Sequence, residues 1–464
     1  MRPTRYLPAT LAALALSTSL PALADDPAER LEADLRALFA AEGRLEIGEV
    51  SAALIRDRVT ARELHFVGPE GQQLWLDRYE VSGDYDRPDE VRIEGIRLET
   101  PGHEQVQLTA EALVLDVPSR AVLPLHEESW PEGVRIAGLD VEALAAEFAG
   151  QDLGEGFGEG RGRVSVERLQ ATGLSREAID SLELSGLEGQ AEGEGEFGRG
   201  TLSLAFARVE GLRGLQGEED ERELDRLELR DLAIDSDRLV ATLAGLEVDG
   251  DLQDGEGGVR LEALDLDLAR MIALAPEEER TQLRMASNVL TGGSGTLRLD
   301  AVSTGRWEAV DGDTRLLGEL DITAEEAFGW AVDADLPVRL PEGVEPAAFL
   351  AEMESLEGVT LLGGRVDATL SDLGLFGRLP AVMAASQGIS EAVFVEQART
   401  QARGFGMMLG PEIEAVLTGL VAMMAGEASE LTLQLTLPAD SELDALSADP
   451  LALPERLEMR VESR

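Results

Sequence analysis

One spacing recurs through much of the chain: apolar-x-apolar-x-x-apolar-x-apolar. It is carried by Val91, Ile93, Ile96 and Leu98, by Val134, Ile136, Leu139 and Val141, by Leu227, Leu229, Leu232 and Ile234, and by Val259, Leu261, Leu264 and Leu266. A truncated copy is Leu182, Leu184 and Leu187. Alternation by two places successive side chains on opposite faces of an extended strand, so Leu, Ile and Val gather on one face and Arg, Glu and Asp on the other. The extra residue in the middle, often glycine, would invert the faces unless a bulge or kink absorbs it. Each phrase therefore predicts a strand with a central bulge, which bends and twists its sheet.

The phrases return at irregular intervals of roughly 20 to 45 residues, which fits a meander better than a strict solenoid. A leucine-rich repeat fails on its fixed period and its missing Asn, and a right-handed β-helix stands as the competing β architecture. The fold class expected is mainly β: a long, twisted antiparallel meander of bulged strands over residues 44–340, with an N-terminal helix and a C-terminal α+β unit. The helix is expected within 25–43, with Asp26 as N-cap, Pro27 at N1, Glu29 at N3, Gly43 as the stop and an apolar stripe of Leu31, Leu35, Leu38 and Phe39. The Gly- and Glu-rich stretches Gly154–Gly162 and Gly189–Gly200 read as loops and hairpin turns, since a dinucleotide-binding glycine loop needs a following helix and here strands follow. Pro276–Ala286 reads as a short helix crossing the surface between strands.

Residues 341–464 mix the two periods. Helices are expected at Pro346–Met353, Ser390–Leu409 and Pro411–Met424, and strands at Val359–Leu370 and Leu431–Leu437, the latter ended by Pro438. Met383, Met407, Met408, Met423 and Met424 would fill a core or line an adaptable lipid or partner surface; core filling is the reading adopted.

Composition removes whole chemistries. The 40 basic residues are all Arg, so lysine Schiff bases, Ser-Lys dyads and the phosphate-binding lysine loop are absent. There is no Cys, which removes thiol nucleophiles and thiolate metal sites. His65, His103 and His126 are far apart in sequence and form no metal-binding spacing, so each reads as an exposed or core imidazole. A net charge of −51 repels nucleic-acid phosphates, and an Arg-only, carboxylate-rich chain fits a GC-rich, halophilic source.

Residues 1–24 carry the marks of a signal peptide: basic Arg2 and Arg5, an apolar Leu7–Leu20, and Ala22-Leu23-Ala24 as the cleavage site. Retention of Leu7–Ala24 as an anchor is the alternative. The other long uncharged run, Ala415–Gly426, is too short to span a bilayer. A periplasmic chain with no transmembrane span after cleavage is expected.

No catalytic, cofactor-binding or metal-ligating residues emerge. With 91 Asp and Glu a two-carboxylate hydrolase is open by number alone, but Trp75, Trp130, Trp307 and Trp330 are scattered and build no sugar-stacking platform. Gly292–Thr296 lacks the last glycine of a nucleophile elbow and reads as a hairpin loop, and Asp249–Glu256 misses ligand positions of a calcium loop.

The stretch Gly48–Gly102 resembles the opening of AsmA-like and TamB-like bacterial envelope proteins in the cadence of its short strands, Val59–Leu64, then Leu74–Leu76, then Val91–Ile93. The resemblance implies a long curved sheet with an apolar inner groove, in a family associated with moving or organising envelope lipids and without a catalytic motif. A cleavable signal in place of an anchor, and the C-terminal unit, depart from that pattern. The expectation is thus a non-enzymatic exported envelope protein holding or passing lipid in an apolar β-groove, without cofactors. The alternatives are a scaffold binding envelope proteins through sheet edges or the Met-rich helices, and a carboxylate-based hydrolase.

Overall fold

The computed structural model describes residues 26–39, 43–53, 57–102, 105–123, 133–152, 159–193, 198–216, 222–251, 255–341, 343–351, 358–442 and 456–464. The chain divides into two compact units, one ending at Arg238 and one beginning at Leu239. Both are mainly β, and every strand pairing within them is antiparallel. Residues 1–24, read above as a signal peptide, lie outside the described residues, as do His103, His126 and Trp130.

The first unit opens with helix α1 (Pro27–Phe39), whose N-terminus is capped as expected: Asp26 Oδ1 accepts the Ala28 N–H at 3.0 Å. Ten strands follow: β1 (Arg44–Ala53), β2 (Arg58–Val67), β3 (Gln73–Asp84), β4 (Arg87–Thr100), β5 (Gln105–Asp116), β6 (Arg135–Asp152), β7 (Glu159–Ser175), β8 (Ala178–Gly193), β9 (Arg199–Arg213) and β10 (Arg226–Ser236). Each pairs with the next, an uninterrupted meander and not a β-helix.

The interruption foreseen in each phrase is a feature of the sheet, not of single strands. Ladder pairing breaks at Gly48, Glu63, Asp77, Gly95, Glu111, Ala143, Glu167, Gly186, Ala205 and Asp231, one residue per strand, and these ten stand opposite one another in a row across the unit. On every even-numbered strand the row residue is left-handed: Glu63 (φ 53°), Gly95 (64°), Ala143 (51°), Gly186 (62°) and Asp231 (52°). The register is the same on both sides of the row, so the strand kinks without gaining a residue on its partner. The kink shifts the alternation by one, which keeps apolar residues on one face: Ala61 and Leu64, Leu76 and Tyr79, and Ile93 and Ile96 flank the row and pack into one core.

A second row lies six residues away, with Gly173 (φ 62°) on β7 facing Asp180 and Gly211 (φ 66°) on β9 facing Asp180 and Asp225. In both rows a carboxylate folds over the glycine. A Cβ on Gly95 would stand 2.1 Å from Asp77 Oδ2, and one on Gly173 would stand 1.9 Å from Asp180 Oδ2. Backbone handedness and side-chain crowding both require glycine at these two positions.

The core of this unit is concentrated at one end of the meander. Leu31 and Leu35 of α1 are completely buried against Val59, Ala61, Leu64, Leu76, Val81, Val91 and Ile93. Two tyrosines tie this end together: Tyr79 donates to the Ala121 carbonyl and Tyr85 to Asp34 Oδ2 of α1, each at 2.8 Å. Burial raises both phenols far above the ordinary value near 10, with Asp34 adding to the effect at Tyr85. A raised pKa contributes stability that is complete below the unfolded value and is lost as pH climbs toward the folded one. Of the three tyrosines in the chain, Tyr79 and Tyr85 are therefore expected to stay protonated in an absorbance titration until the first unit unfolds above about pH 10. Reversible ionisation of both near pH 10 would contradict this packing.

The second unit continues as a meander of β11 (Val240–Asp249), β12 (Glu256–Asp267), β13 (Thr296–Val310), β14 (Asp313–Ala324) and β15 (Phe328–Arg339). At β12 the left-handed Ala263 (φ 49°) does count as an inserted residue, since the register with β13 shifts between Leu261 and Leu264. Its N–H is held by Asp300 Oδ1 at 2.8 Å. From β13 to β15 the ladders are unbroken, in keeping with the last phrase ending at Leu266.

Strands β16 (Thr360–Leu362), β17 (Arg365–Asp372), β18 (Glu430–Thr436), β19 (Ala439–Glu442) and β20 (Glu458–Ser463) complete this sheet. Gly363-Gly364 splits the single strand expected at Val359–Leu370, and the strand ended by Pro438 is followed by two more. Short α2 (Leu268–Leu274) precedes α3 (Glu277–Thr291), which is longer than the helix foreseen at Pro276. Short α4 (Pro346–Ala351), α6 (Glu391–Leu409) and α7 (Pro411–Met424) match their expectations, while α5 (Leu375–Gln387) had none. Helices α5 and α7 lie against β17, β18 and β20. Met423 is completely buried there, but Met407 and Met408 fill no core.

Candidate functional site

Burial of the apolar face falls away along the first unit. Strands β2 to β4 carry nine buried apolar residues from Val59 to Ile93, whereas β8 carries none and β10 buries only Ser236. On β6 to β10 the inward row mixes buried Val141, Val166, Ala171 and Leu204 with half-buried residues such as Leu144, Phe148, Leu169, Leu184, Leu187, Leu202, Leu229 and Ile234. Among the described residues, β7, β8 and β9 pack mainly against their ladder neighbours. Helix α1 packs on β1 and β2, at the other end of the meander.

The other face is ionic. Arg168 forms a two-pronged pair with Asp140, with Nε to Oδ1 at 2.9 Å, and Arg208 pairs with Glu183. Arg168 holds the Asp140 carboxyl below the usual carboxylate range. The same face carries a stacked trio, with the Arg97 guanidinium 4.2 Å from the Trp75 ring centre and Trp75 parallel to the His65 ring at 5.1 Å. His65 Nε2 also meets Gln73 Oε1 at 3.3 Å, which makes this histidine part of the stack.

A cavity of about 920 Å³ opens at one end of the meander, where β4 to β9 end or begin. Val106 and Phe148 bring the apolar face into it, and Gly162 makes room: a Cβ there would stand 2.6 Å from the Phe148 ring. The rim holds Glu99, Glu147 and Glu192 with Arg161, Arg163 and Arg199, three of each sign in a chain with 91 acids and 40 bases. Glu192 accepts from Arg161 Nε at 3.0 Å and Nη2 at 2.6 Å, and Arg199 Nε stands 3.4 Å away. The Arg161 hydrogen bonds lower the Glu192 pKa. An adjoining hollow of about 570 Å³ shares Arg161, Glu192 and Arg199 and is lined by Gly150, Gly160, Gly193 and Gly198.

Those glycines correct the sequence reading. The Gly-rich stretches are not simply turns: Gly160 and Gly162 lie in β7, Gly189 and Gly193 in β8 and Gly200 in β9, while 153–158 and 194–197 lie outside the described residues. Their signal in the sequence was the run of small residues itself, which lets strand ends and rings approach closely where the cavity forms. The rim Arg and Glu residues had no such signal.

The remaining candidates separate. Gly292 ends α3 in a left-handed conformation, and the Ser294 hydroxyl donates to the Thr291 carbonyl at 3.0 Å, which makes this a helix-to-strand turn in place of the hairpin loop expected. Asp249, Asp251 and Glu256 are described but residues 252–254 are not, and the described residues hold no cluster of three or more potential metal ligands. One carboxylate is buried among the described residues, Glu80, and it is neutralised by Arg58 at 3.0 Å and Arg78 at 2.6 Å. Among the described residues, no helix is long and apolar enough to cross a membrane. The chain matches no protein-family model and no curated protein.

Proposed function

We propose that the first unit holds lipid acyl chains along the apolar face of β6 to β10, with the cavity at its end as the mouth, and that the protein serves the bacterial envelope without catalysing a reaction. The observation that carries this reading is the face itself, on which half-buried Leu, Val, Phe and Ile outnumber the buried Val141, Val166, Ala171 and Leu204 over five strands. A contiguous apolar surface in water is costly, and a sheet face left open calls for a partner. Flexible hydrocarbon fits a long, shallow apolar strip better than a compact solute, and the charge-balanced rim tolerates a zwitterionic headgroup. Export through the N-terminal signal would place the protein in the periplasm, where such a carrier would work. The resemblance to AsmA-like and TamB-like proteins agrees with this reading.

The test is saturable binding of a fatty acid bearing an environment-sensitive fluorophore. Blue-shifted emission that phospholipid displaces is expected, at a small whole-number stoichiometry. Emission indistinguishable from buffer across the titration would sink the proposal.

A further inference from the structure

Helices α6 and α7 form a hairpin whose tip is apolar and bare. Phe405 is 50% exposed, Met407 84%, Met408 80% and Leu409 42%. The hairpin is tight: α6 ends at Leu409, Gly410 alone forms the turn, and Pro411 begins α7. The inner side of the last turn is already occupied, because Ala402 and Gly406 are buried and a Cβ on Gly406 would stand 2.3 Å from Glu414 Cβ. Closing the helices at Gly406 leaves the four large side chains on the outer, convex surface of the hairpin tip. Arg403 stands one turn before Met407, in the (i, i+4) position on the same side of α6. Among the described residues Arg403 makes no ion pair, although Arg399, one turn earlier, is held by Glu396 and Glu427.

We infer that this tip dips into the surface of a lipid bilayer, with Phe405, Met407, Met408 and Leu409 among the upper acyl carbons and Arg403 at the phosphate level. A convex apolar tip needs no matching groove in a fluid bilayer, whereas a protein partner would have to supply one. An unpaired guanidinium behind apolar residues is the arrangement that lets the stem stay in hydrocarbon and the head reach phosphate. Glu412 and Glu414 in the first turn of α7 limit the depth, and the charge of −51 favours a zwitterionic surface over an anionic one. This inference is independent of the groove in the first unit.

The experiment is flotation of the full chain with phosphatidylcholine vesicles, together with a Phe405→Trp variant read against vesicles brominated in the acyl chains. The parent should float, and Met407→Asp with Met408→Asp should lower the bound fraction about tenfold. The Met407→Leu and Met408→Leu pair should keep it. Bromine should quench the new tryptophan, a readout that groove-bound lipid would not give and that survives if the Asp pair misfolds. Flotation unchanged by the Asp pair, or no quenching at position 405, would overturn the inference. So would loss of a concentration-dependent dimer with flotation intact, which would assign the tip to a second copy of the chain.

Discussion

Gly95→Val is expected to destabilise the first unit by about 3 kcal/mol or more, read as a lower midpoint in urea unfolding. Gly95 has φ 64° and Asp77 lies where a side chain would begin, so the variant meets backbone strain and a displaced carboxylate together. β-branching makes the left-handed conformation still harder to hold. The row makes a second, opposite demand. Ala143 occupies the equivalent place on β6 at φ 51°, where an L-residue is strained and glycine is not. Ala143→Gly should therefore stabilise by about 0.5 to 1 kcal/mol after its entropic cost in the unfolded chain. Opposite signs at two positions of one row are a stringent demand on the kink. Matching signs, or no change at Gly95, would mean that the row does not set the path of these strands.

The second large effect concerns the open face. Leu169 and Leu184 are directly opposed across β7 and β8, and both lie half-buried on the apolar side. Replacing the pair by glutamate should reduce bound lipid more than about tenfold, because a carboxylate against hydrocarbon is desolvated without a partner. Folding should suffer little, about 1 kcal/mol per site, since both side chains are already partly in water. Ser185→Glu, one residue along β8 and on the ionic face, is the control and should leave lipid content unchanged. Equal loss from the control and the pair would point to general damage and not to a groove.

The sequence carried more of the sheet than of the site. The left-handed residue sits where the phrase placed its extra residue at Gly95, Gly186, Asp231 and Ala263. The phrase at Val134 misled in detail, because Gly138 is not left-handed and the kink falls later, at Ala143. The row itself was not legible: it depends on register between strands, and the odd strands take part with Asp77, Glu111 and Glu167 in ordinary extended backbone. Helix α5 was hidden by Gly377 and Pro380, which argue against a helix locally. Part of its anchoring is distant: Arg378 Nε donates to the Val289 carbonyl at 2.7 Å, at the C-terminal end of α3. Met423 and Met407 look alike in sequence, but Met423 lies on α7, which packs against β18 and β20, whereas Met407 lies at the exposed end of α6.

The most direct test of the lipid-holding face is organic extraction and mass spectrometry of the full chain, purified in high salt without detergent, beside the Leu169→Glu and Leu184→Glu pair. The account predicts phospholipid in stoichiometric amount from the parent and at least about tenfold less from the pair. Lipid-free parent protein, or equal lipid from both, would contradict it.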